Sequence, residues 1–157
     1  MIEFRILEET EKPADDELAE VEEHCEIKLP PDFVRFYSQY DMPENLEGEI
    51  YIKAKGYPYP LQLDGFYLPD QMIEEYDVRL DEDESIQSKG KLIPFAFDSS
   101  INQYCFFYPA NNENDPIIVW VDSNHAAQDL FRENKFNPEA VVVVRKTFKQ
   151  FLEDLYI

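Results

Sequence analysis

The sequence has little glycine, cysteine and histidine. Its 157 residues include 4 glycines, 2 cysteines and 2 histidines. A phosphate-cradling loop or a dinucleotide-binding turn needs closely spaced glycines, because the backbone must approach the ligand, so both are disfavoured. Cys25 and Cys105 lie far apart, a pattern that suits a reducing compartment better than a disulfide framework.

Positive charge is also scarce. The chain carries 14 Lys and Arg residues against 34 Asp and Glu residues, which gives a formal net charge of −20. Binding to nucleic acid requires a basic face, and an anionic membrane surface repels such a chain, so neither is expected as a partner. The charge favours solubility and attraction to a cationic partner.

Long apolar runs are absent as well. No segment approaches the roughly 20 apolar residues that span a bilayer. The opening residues, MIEFRILEETEKPADD, show no basic stretch followed by an apolar core. We therefore expect a cytoplasmic protein, with leaderless secretion as the alternative. An apolar content of 44% and an aromatic content of 15% indicate a folded chain, with one domain over residues 1–157.

Apolar residues recur at helical spacing in two neighbouring segments near the N-terminus. The segment DELAEVEEHCEIKLPPD predicts an acidic helix with one apolar stripe, and Pro30 and Pro31 end this region and start a second helix. The stripe of the first helix is Leu18, Val21 and Cys25. That of the second helix is Phe33, Phe36, Tyr37 and Tyr40. We expect two helices joined by a proline corner.

The middle of the chain contains both strand and helix patterns. EIYIK and LQLDGFYL are predicted to form antiparallel strands separated by KGYPYP, and LPDQMIEEYDVRL to form a helix with Pro69 near its start. The segment DEDES (81–85) is expected to be an exposed connection. A β-meander should follow, with turn residues in DSSINQ and PANNENDP. Its strands are Leu92 to Phe97, Tyr104 to Tyr108, and Ile117 to Val121.

Two further helices are expected toward the C-terminus. A short one is predicted from His125 to Asn134, capped by Ser123 or Asn124. The other follows Thr147, which forms a capping-box pattern with Gln150. Its apolar stripe consists of Phe148, Phe151, Leu152 and Leu155. The order of elements predicts the α+β class, with an antiparallel or mixed sheet.

Candidate catalytic and metal-binding residues are few. His24 and Cys25 are adjacent, but no cysteine or histidine pair has the tight spacing of a transition-metal site, so no metal or other cofactor is expected. Cys105 with His125 could form a nucleophilic pair, although a thiol between two aromatic residues of a strand is more often structural. We therefore do not expect an enzyme. A hydrolase that uses Cys105 or carboxylates ranks last among the alternatives.

Two surface features are candidates for binding a partner. The acidic run Asp81–Glu84 lacks the glycine and the glutamate of a calcium loop, because Ile86 and Leu92 occupy those positions. A solvated run of charge is its ordinary explanation, and a patch for a protein partner is the alternative. Tyr57 and Tyr59 in KGYPYP are equally compatible with a core and with an interface.

Four segments of the chain resemble the SMI1/KNR4 family, also called the SUKH superfamily. In ELAEVEEHCEIKLPPDFVRFYSQYD the matching residues are Glu22 or Glu23, Ile27, Leu29, Pro30, Asp32, Phe33 and Phe36. In LIPFAFDSSINQYCFFYP they are Pro94, Phe95, Ala96, Asp98, Asn102, Tyr104 and Cys105. DPIIVWVD resembles the next strand of the family, and TFKQFLEDLY resembles its closing helix. The match covers nearly the whole chain in the right order.

The chain departs from the family at two turns. Asp41-Met42-Pro43 replaces an Asn-Gly-Gly type of turn after the second helix. Ser99-Ser100-Ile101 stands before Asn102, where the family has a turn glycine. Both departures concern loop conformation and leave the expected fold unchanged.

The resemblance implies a mixed, mostly antiparallel sheet flanked by helices. For bacterial members it also implies an immunity protein that binds and neutralises a cognate polymorphic toxin, often a nuclease. Fungal members act in cell-wall and signalling regulation, so a non-catalytic regulatory or scaffold module that binds endogenous proteins is the alternative. We expect a protein toxin with a basic surface as the partner, bound by a monomer or a weak homodimer. The residues expected to contact it are Tyr57, Tyr59, Glu74, Glu75, Asp77, Asp81, Glu82, Asp83, Glu84, Asp98 and Asn102.

Overall fold

The structure is a computed structural model, and it describes residues 15–39, 49–83, 86, 88–112 and 114–157. Its helices are α1 (Asp15–Cys25), α2 (Pro31–Gln39), α3 (Pro69–Glu82) and α4 (Phe148–Asp154). Its strands are β1 (Ile50–Ile52), β2 (Leu61–Leu63), β3 (Gly65–Phe66), β4 (Gly90–Phe97), β5 (Gln103–Pro109), β6 (Ile117–Val121), β7 (Phe131–Arg132), β8 (Lys135–Phe136) and β9 (Val141–Arg145). Tyr40, the turn Asp41-Met42-Pro43 and Glu84 lie outside the described residues.

Five strands form the central sheet, in the order β3-β4-β5-β6-β9, and each neighbouring pair is antiparallel. Strands β4 and β5 pair along their length, from Gly90 opposite Pro109 to Phe97 opposite Gln103. Strand β6 pairs with β5 on its other side, so the predicted β-meander is confirmed. A separate antiparallel pair joins β1 to β2, as the alternating patterns on either side of KGYPYP predict. The predicted strand LQLDGFYL is divided, however, because its second part forms β3 and pairs with β4 in the central sheet. The predicted α+β class with a mostly antiparallel sheet is confirmed.

One face of the sheet carries an aromatic core to which all four helices contribute, α3 through Met72 and Tyr76. Phe95 and Phe106 share this face and stack with their ring centroids 4.4 Å apart. Phe33 of α2 packs against Phe106 at 5.1 Å and against Phe148 of α4 at 5.2 Å. Because each buried aromatic side chain contributes about 1.5–3 kcal/mol, this cluster is a major source of the stability of the fold.

The opposite face carries a second apolar cluster, which includes Cys105, Phe107 and Val119. The segment between β6 and β9 covers it, together with Leu80 of α3. The predicted helix from His125 to Asn134 is wrong in this segment. A 3-10 turn at Ala127–Asp129 leads instead into a hairpin of β7 and β8.

The hairpin forms because its aromatic residues find partners across the chain. Phe131 and Phe136 stack with their ring centroids 5.2 Å apart, and Phe136 packs against Phe107 of β5 at 4.7 Å. Such long-range contacts override the weak helical spacing of the sequence. Strand β9 was also not predicted, although its run of valines is typical of a strand.

The corner between α1 and α2 is held to the sheet by polar contacts. The Glu22 carboxylate accepts a hydrogen bond from the backbone N–H of Leu29 at 2.8 Å. Lys91 of β4 donates to the carbonyl oxygens of Cys25 and Glu26, each at 2.9 Å. These contacts satisfy backbone groups at the end of α1 and fix its position beside α3.

Candidate partner-binding surface

Helix α3 is amphipathic and has an acidic outer face. Its start is fixed by Pro69 in the first turn and by Gln71, whose side chain accepts a hydrogen bond from the backbone N–H of Leu68 at 2.8 Å. Met72 and Tyr76, one turn apart, are buried. The carboxylates of the helix are Asp70, Glu74, Glu75, Asp77, Asp81 and Glu82. The helix therefore presents a line of negative charge along the surface.

The predicted contact residues in the middle of α3 differ in their surroundings. Glu74 is exposed. Glu75 is half-buried and accepts a hydrogen bond from the Gln103 side chain at 3.0 Å. The Asp77 carboxylate lies 2.7 Å from Nε2 of His24 on α1. A partner would therefore meet Glu74 directly, whereas Glu75 and Asp77 also support the packing of α3.

The acidic run that was predicted as an exposed connection begins inside the helix. Asp81 and Glu82 belong to the last turn of α3, and Asp83 ends the helix by donating its N–H to the carbonyl oxygen of Arg79 at 3.2 Å. Glu82 also accepts a hydrogen bond from the backbone N–H of Ala127 at 3.3 Å. The prediction of a connection over 81–85 is thus wrong for Asp81 and Glu82, which the helix holds in fixed positions.

A polar network lies under α3, where the helix crosses the ends of the strands. The Arg79 guanidinium donates to Gln103 Oε1 at 2.6 Å and lies 3.7 Å from Cys105 Sγ. Gln103 in turn donates to Tyr67 Oη at 3.2 Å. Burial raises the pKa of Tyr67 to about 12. Burial also raises the pKa of Cys105, against the opposing effect of Arg79, and the thiol has 0% exposure, so it is protonated and shielded at neutral pH.

A cleft of about 170 Å³ opens between α3, the β4–β5 turn and the segment after β6. Its lining includes Glu75, Arg79 and His125, and also two apolar side chains, Val78 and Ile101. Val78 is 50% exposed and Ile101 is 70% exposed. Sequence reasoning missed both residues. In the sequence, Val78 is recognisable as an apolar residue out of phase with the buried stripe of α3. Ile101 is recognisable as an apolar residue in a polar turn.

The predicted contact residues Asp98 and Asn102 fix the β4–β5 turn. The Asp98 carboxylate accepts hydrogen bonds from the backbone N–H groups of Ser100 and Asn102 at 2.9 and 3.0 Å, and from Trp120 Nε1 at 3.3 Å. The Asn102 side-chain oxygen accepts from the N–H of Ser123 at 2.8 Å. Asp98 is 8% exposed and Asn102 is 9% exposed, so both offer a partner little surface.

Tyr57 and Tyr59 belong to the segment between β1 and β2. The Tyr57 ring packs 5.5 Å from Trp120, which belongs to the aromatic face of the sheet. The α3 network contacts Cys105 on the opposite face. Tyr59 is 70% exposed. Because Trp120 also donates to the Asp98 carboxylate, the Tyr57 ring lies near the β4–β5 turn, whereas Tyr59 is available to a partner.

No group of three or more His, Cys, Asp and Glu side chains is placed to hold a metal ion among the residues described. None of the helices in those same ranges has the length and apolar character needed to cross a membrane.

A five-stranded antiparallel sheet and an aromatic core packed by four helices, of which α3 has an acidic outer face, define a small α+β fold. The model of the SMI1 / KNR4 family (SUKH-1) matches residues 12–154, and the chain belongs to this family. Comparison with the curated proteins and with the solved structures gave no significant match. Several residues that carry the family resemblance, among them Glu22 and Asp98, have structural roles here.

Proposed function

We propose that this protein is a cytoplasmic immunity protein that binds and neutralises a cognate protein toxin. The observation that carries the proposal is the acidic outer face of α3, on a family domain with a net charge of −20. Exposed carboxylates attract a basic surface such as the cleft of a nuclease, and complementary potentials speed association and fix orientation. In this role the protein acts as a monomer or a weak homodimer, and neither nucleic acid nor a membrane is its partner.

Binding is favoured over catalysis by the placement of the reactive groups. Cys105 is fully buried, and burial raises its pKa, which disfavours the thiolate that a nucleophile needs. Cys25 is 1% exposed, and burial raises its pKa to about 12. Among the described residues, most of the exposed charged side chains are carboxylates, which suit recognition of a cationic protein.

The proposal is tested by capture followed by neutralisation. The protein is used as bait in its native lysate, captured partners are identified by mass, and a captured candidate is expressed with and without the protein to measure growth. One stoichiometric partner that arrests growth alone and is silenced by co-expression supports an immunity protein. A changing set of host proteins without toxicity supports the regulatory or scaffold module instead.

The acidic face is tested with a pair of charge-matched variants. Glu74→Gln with Asp81→Asn removes two exposed carboxylates from α3, and Glu133→Gln with Glu153→Gln removes two exposed carboxylates elsewhere. We expect the first variant to slow association with the captured toxin and to flatten its salt dependence, and the second to have little effect, because charges outside an interface contribute weakly. Equal slowing by both variants would show that only the total charge matters.

The tyrosine loop provides the competing location for the interface. Tyr59 is 70% exposed and lies in the segment between β1 and β2. If Tyr59→Ala speeds dissociation of the toxin while the α3 variant binds normally, the partner occupies the tyrosine side of the molecule. A normal dissociation rate for Tyr59→Ala favours the acidic helix.

A further inference from the structure

Ile101 adopts a backbone conformation that does not suit its side chain. Its φ is 64°, in the left-handed region that β-branched residues rarely occupy. The turn does not require isoleucine, because the hydrogen bonds that fix it come from Asp98, whose backbone carbonyl accepts from the Ile101 N–H at 3.1 Å. A glycine or an asparagine would adopt this conformation at lower cost.

The side chain of Ile101 gains little from folding in return. It is 70% exposed, so little of its apolar surface is removed from water. Isoleucine at this position therefore stabilises the fold through neither its backbone conformation nor the burial of its side chain. A residue that costs stability is a candidate for function, because functional sites are where such costs are retained.

Val78 is a second apolar residue on the same cleft. It lies on α3, outside the buried positions Met72 and Tyr76, and it is 50% exposed. Val78 and Ile101 both line the cleft of about 170 Å³. A small-molecule pocket usually measures about 300–1,000 Å³, so a space of this size fits one side chain better than a free ligand.

The charged groups of the cleft select the kind of side chain. Three carboxylates line it, from Glu75, Glu82 and Asp122, against the guanidinium of Arg79. Each of the three accepts a hydrogen bond from a neutral donor: the Gln103 side chain, the Ala127 N–H and the Asn124 N–H. Arg79, which shares Gln103 with Glu75, offsets one of the three charges, and the remaining negative charge is available to a cation. An apolar wall beside carboxylates fits the stem and the charged head of lysine or arginine.

We propose that the Val78–Ile101 cleft is the anchor site of the interface and takes a lysine or arginine side chain from the partner protein. The aliphatic stem packs against Val78 and Ile101, and the cationic group reaches the carboxylates. The inference rests on the proposed function, because it assigns the residue that a basic toxin inserts. In this arrangement α3 attracts the toxin at long range, and the cleft recognises it at short range.

The first test uses short capped peptides as probes of the cleft. Isotope-labelled protein is titrated with acetyl-Gly-Lys-Gly-amide and its arginine counterpart at physiological salt, and the amide signals of Val78, Ile101 and Gln103 are followed by NMR. We expect saturable shifts with a Kd on the order of 1 mM. Peptides with norleucine or glutamate at the central position should give no saturable shift.

The variant Ile101→Asn removes the apolar wall and keeps a residue that tolerates positive φ. We expect its peptide affinity to fall by about fivefold or more, while Tyr59→Ala binds as the wild type does. Shifts that spread over the acidic surface and persist in Ile101→Asn would show general attraction and overturn the proposal. Absence of any saturable shift would overturn it as well.

The captured toxin separates this inference from the proposed function. If the toxin is neutralised and Ile101→Asn binds it as tightly as the wild type, the cleft is not the anchor and the immunity function stands. If no toxin is captured but lysine peptides bind the cleft, the site is real and the proposed function fails. Loss of toxin binding by a folded Ile101→Asn variant supports both the anchor site and the immunity function.

Discussion

The closing helix offers the sharpest test of how the fold is stabilised. Helix α4 begins after Thr147, whose Oγ1 accepts a hydrogen bond from the backbone N–H of Gln150 at 3.1 Å. Phe151 is 0% exposed and lies 5.5 Å from both Phe95 and Tyr104, measured between ring centroids. Truncation to alanine removes these contacts and leaves a cavity in a close-packed core, so Phe151→Ala should cost about 3–5 kcal/mol.

The cost is measured by urea unfolding followed by fluorescence and far-UV circular dichroism. With a urea m-value of about 2 kcal/mol per molar, a loss of about 4 kcal/mol lowers the midpoint by about 2 M. Leu152→Ala is the matched control on the same helix, and its half-buried side chain should cost about 1 kcal/mol. A Phe151→Ala midpoint equal to that of the wild type would refute the docking of α4 on the sheet.

Further predictions concern single positions. Cys105→Ala should leave the proposed toxin neutralisation intact and cost at most about 1–2 kcal/mol in urea unfolding, because the thiol is structural; a folded variant without activity would restore the nucleophile hypothesis. Ile101→Asn should raise the free energy of unfolding by about 0.5–1 kcal/mol, because asparagine tolerates positive φ; a lower midpoint would show that the isoleucine stabilises the turn. Asp98→Asn should lower the midpoint by loosening the β4–β5 turn, and an unchanged midpoint would contradict that role.

Local sequence patterns predict those elements whose burial follows a local period. The stripes of α1, α2 and α4 and the meander of β4, β5 and β6 belong to this group, because each element presents one regular apolar face to the core. The hairpin of Phe131 and Phe136 does not. Its aromatic residues are spaced for neither period, and their positions are set by Phe107, which lies far away in the chain.

The candidate surface was predictable only in its charge. Composition alone indicates an acidic surface and a cationic partner, and the helix that carries Glu74 and Asp81 follows from its apolar spacing. The packing of Tyr57 against Trp120 could not be predicted, because it depends on which face of the sheet Trp120 occupies. That face is set by strand register, and a shift of one residue would reverse it.

The buried thiol of Cys25, on α1, makes the free energy of unfolding depend on pH in the alkaline range. Cys25 is 1% exposed, and burial raises its pKa from 9.0 to about 12, with Asp77 adding to the rise and Lys91 opposing it. The folded chain thus holds the thiol proton more tightly than the unfolded chain does. This contribution to stability is complete below the unfolded pKa and is lost as the pH rises toward the folded pKa, up to a limit of about 4 kcal/mol.

The free energy of unfolding should therefore fall between pH 9 and pH 12, the window set by Cys25. Cys25→Ala removes one titrating group, so its stability curve should fall less steeply over this range, whatever its stability at neutral pH. A residual slope remains in the variant, because burial also raises the pKa of Cys105 and of the tyrosines Tyr37, Tyr67, Tyr104 and Tyr108, so these groups lose protons more readily in the unfolded chain. Tyr59→Phe, at an exposed position, is the control and should follow the wild-type curve. If the wild-type and Cys25→Ala curves run parallel through this range, the thiol does not titrate differently in the folded chain, and the close packing of α1 against the sheet is contradicted.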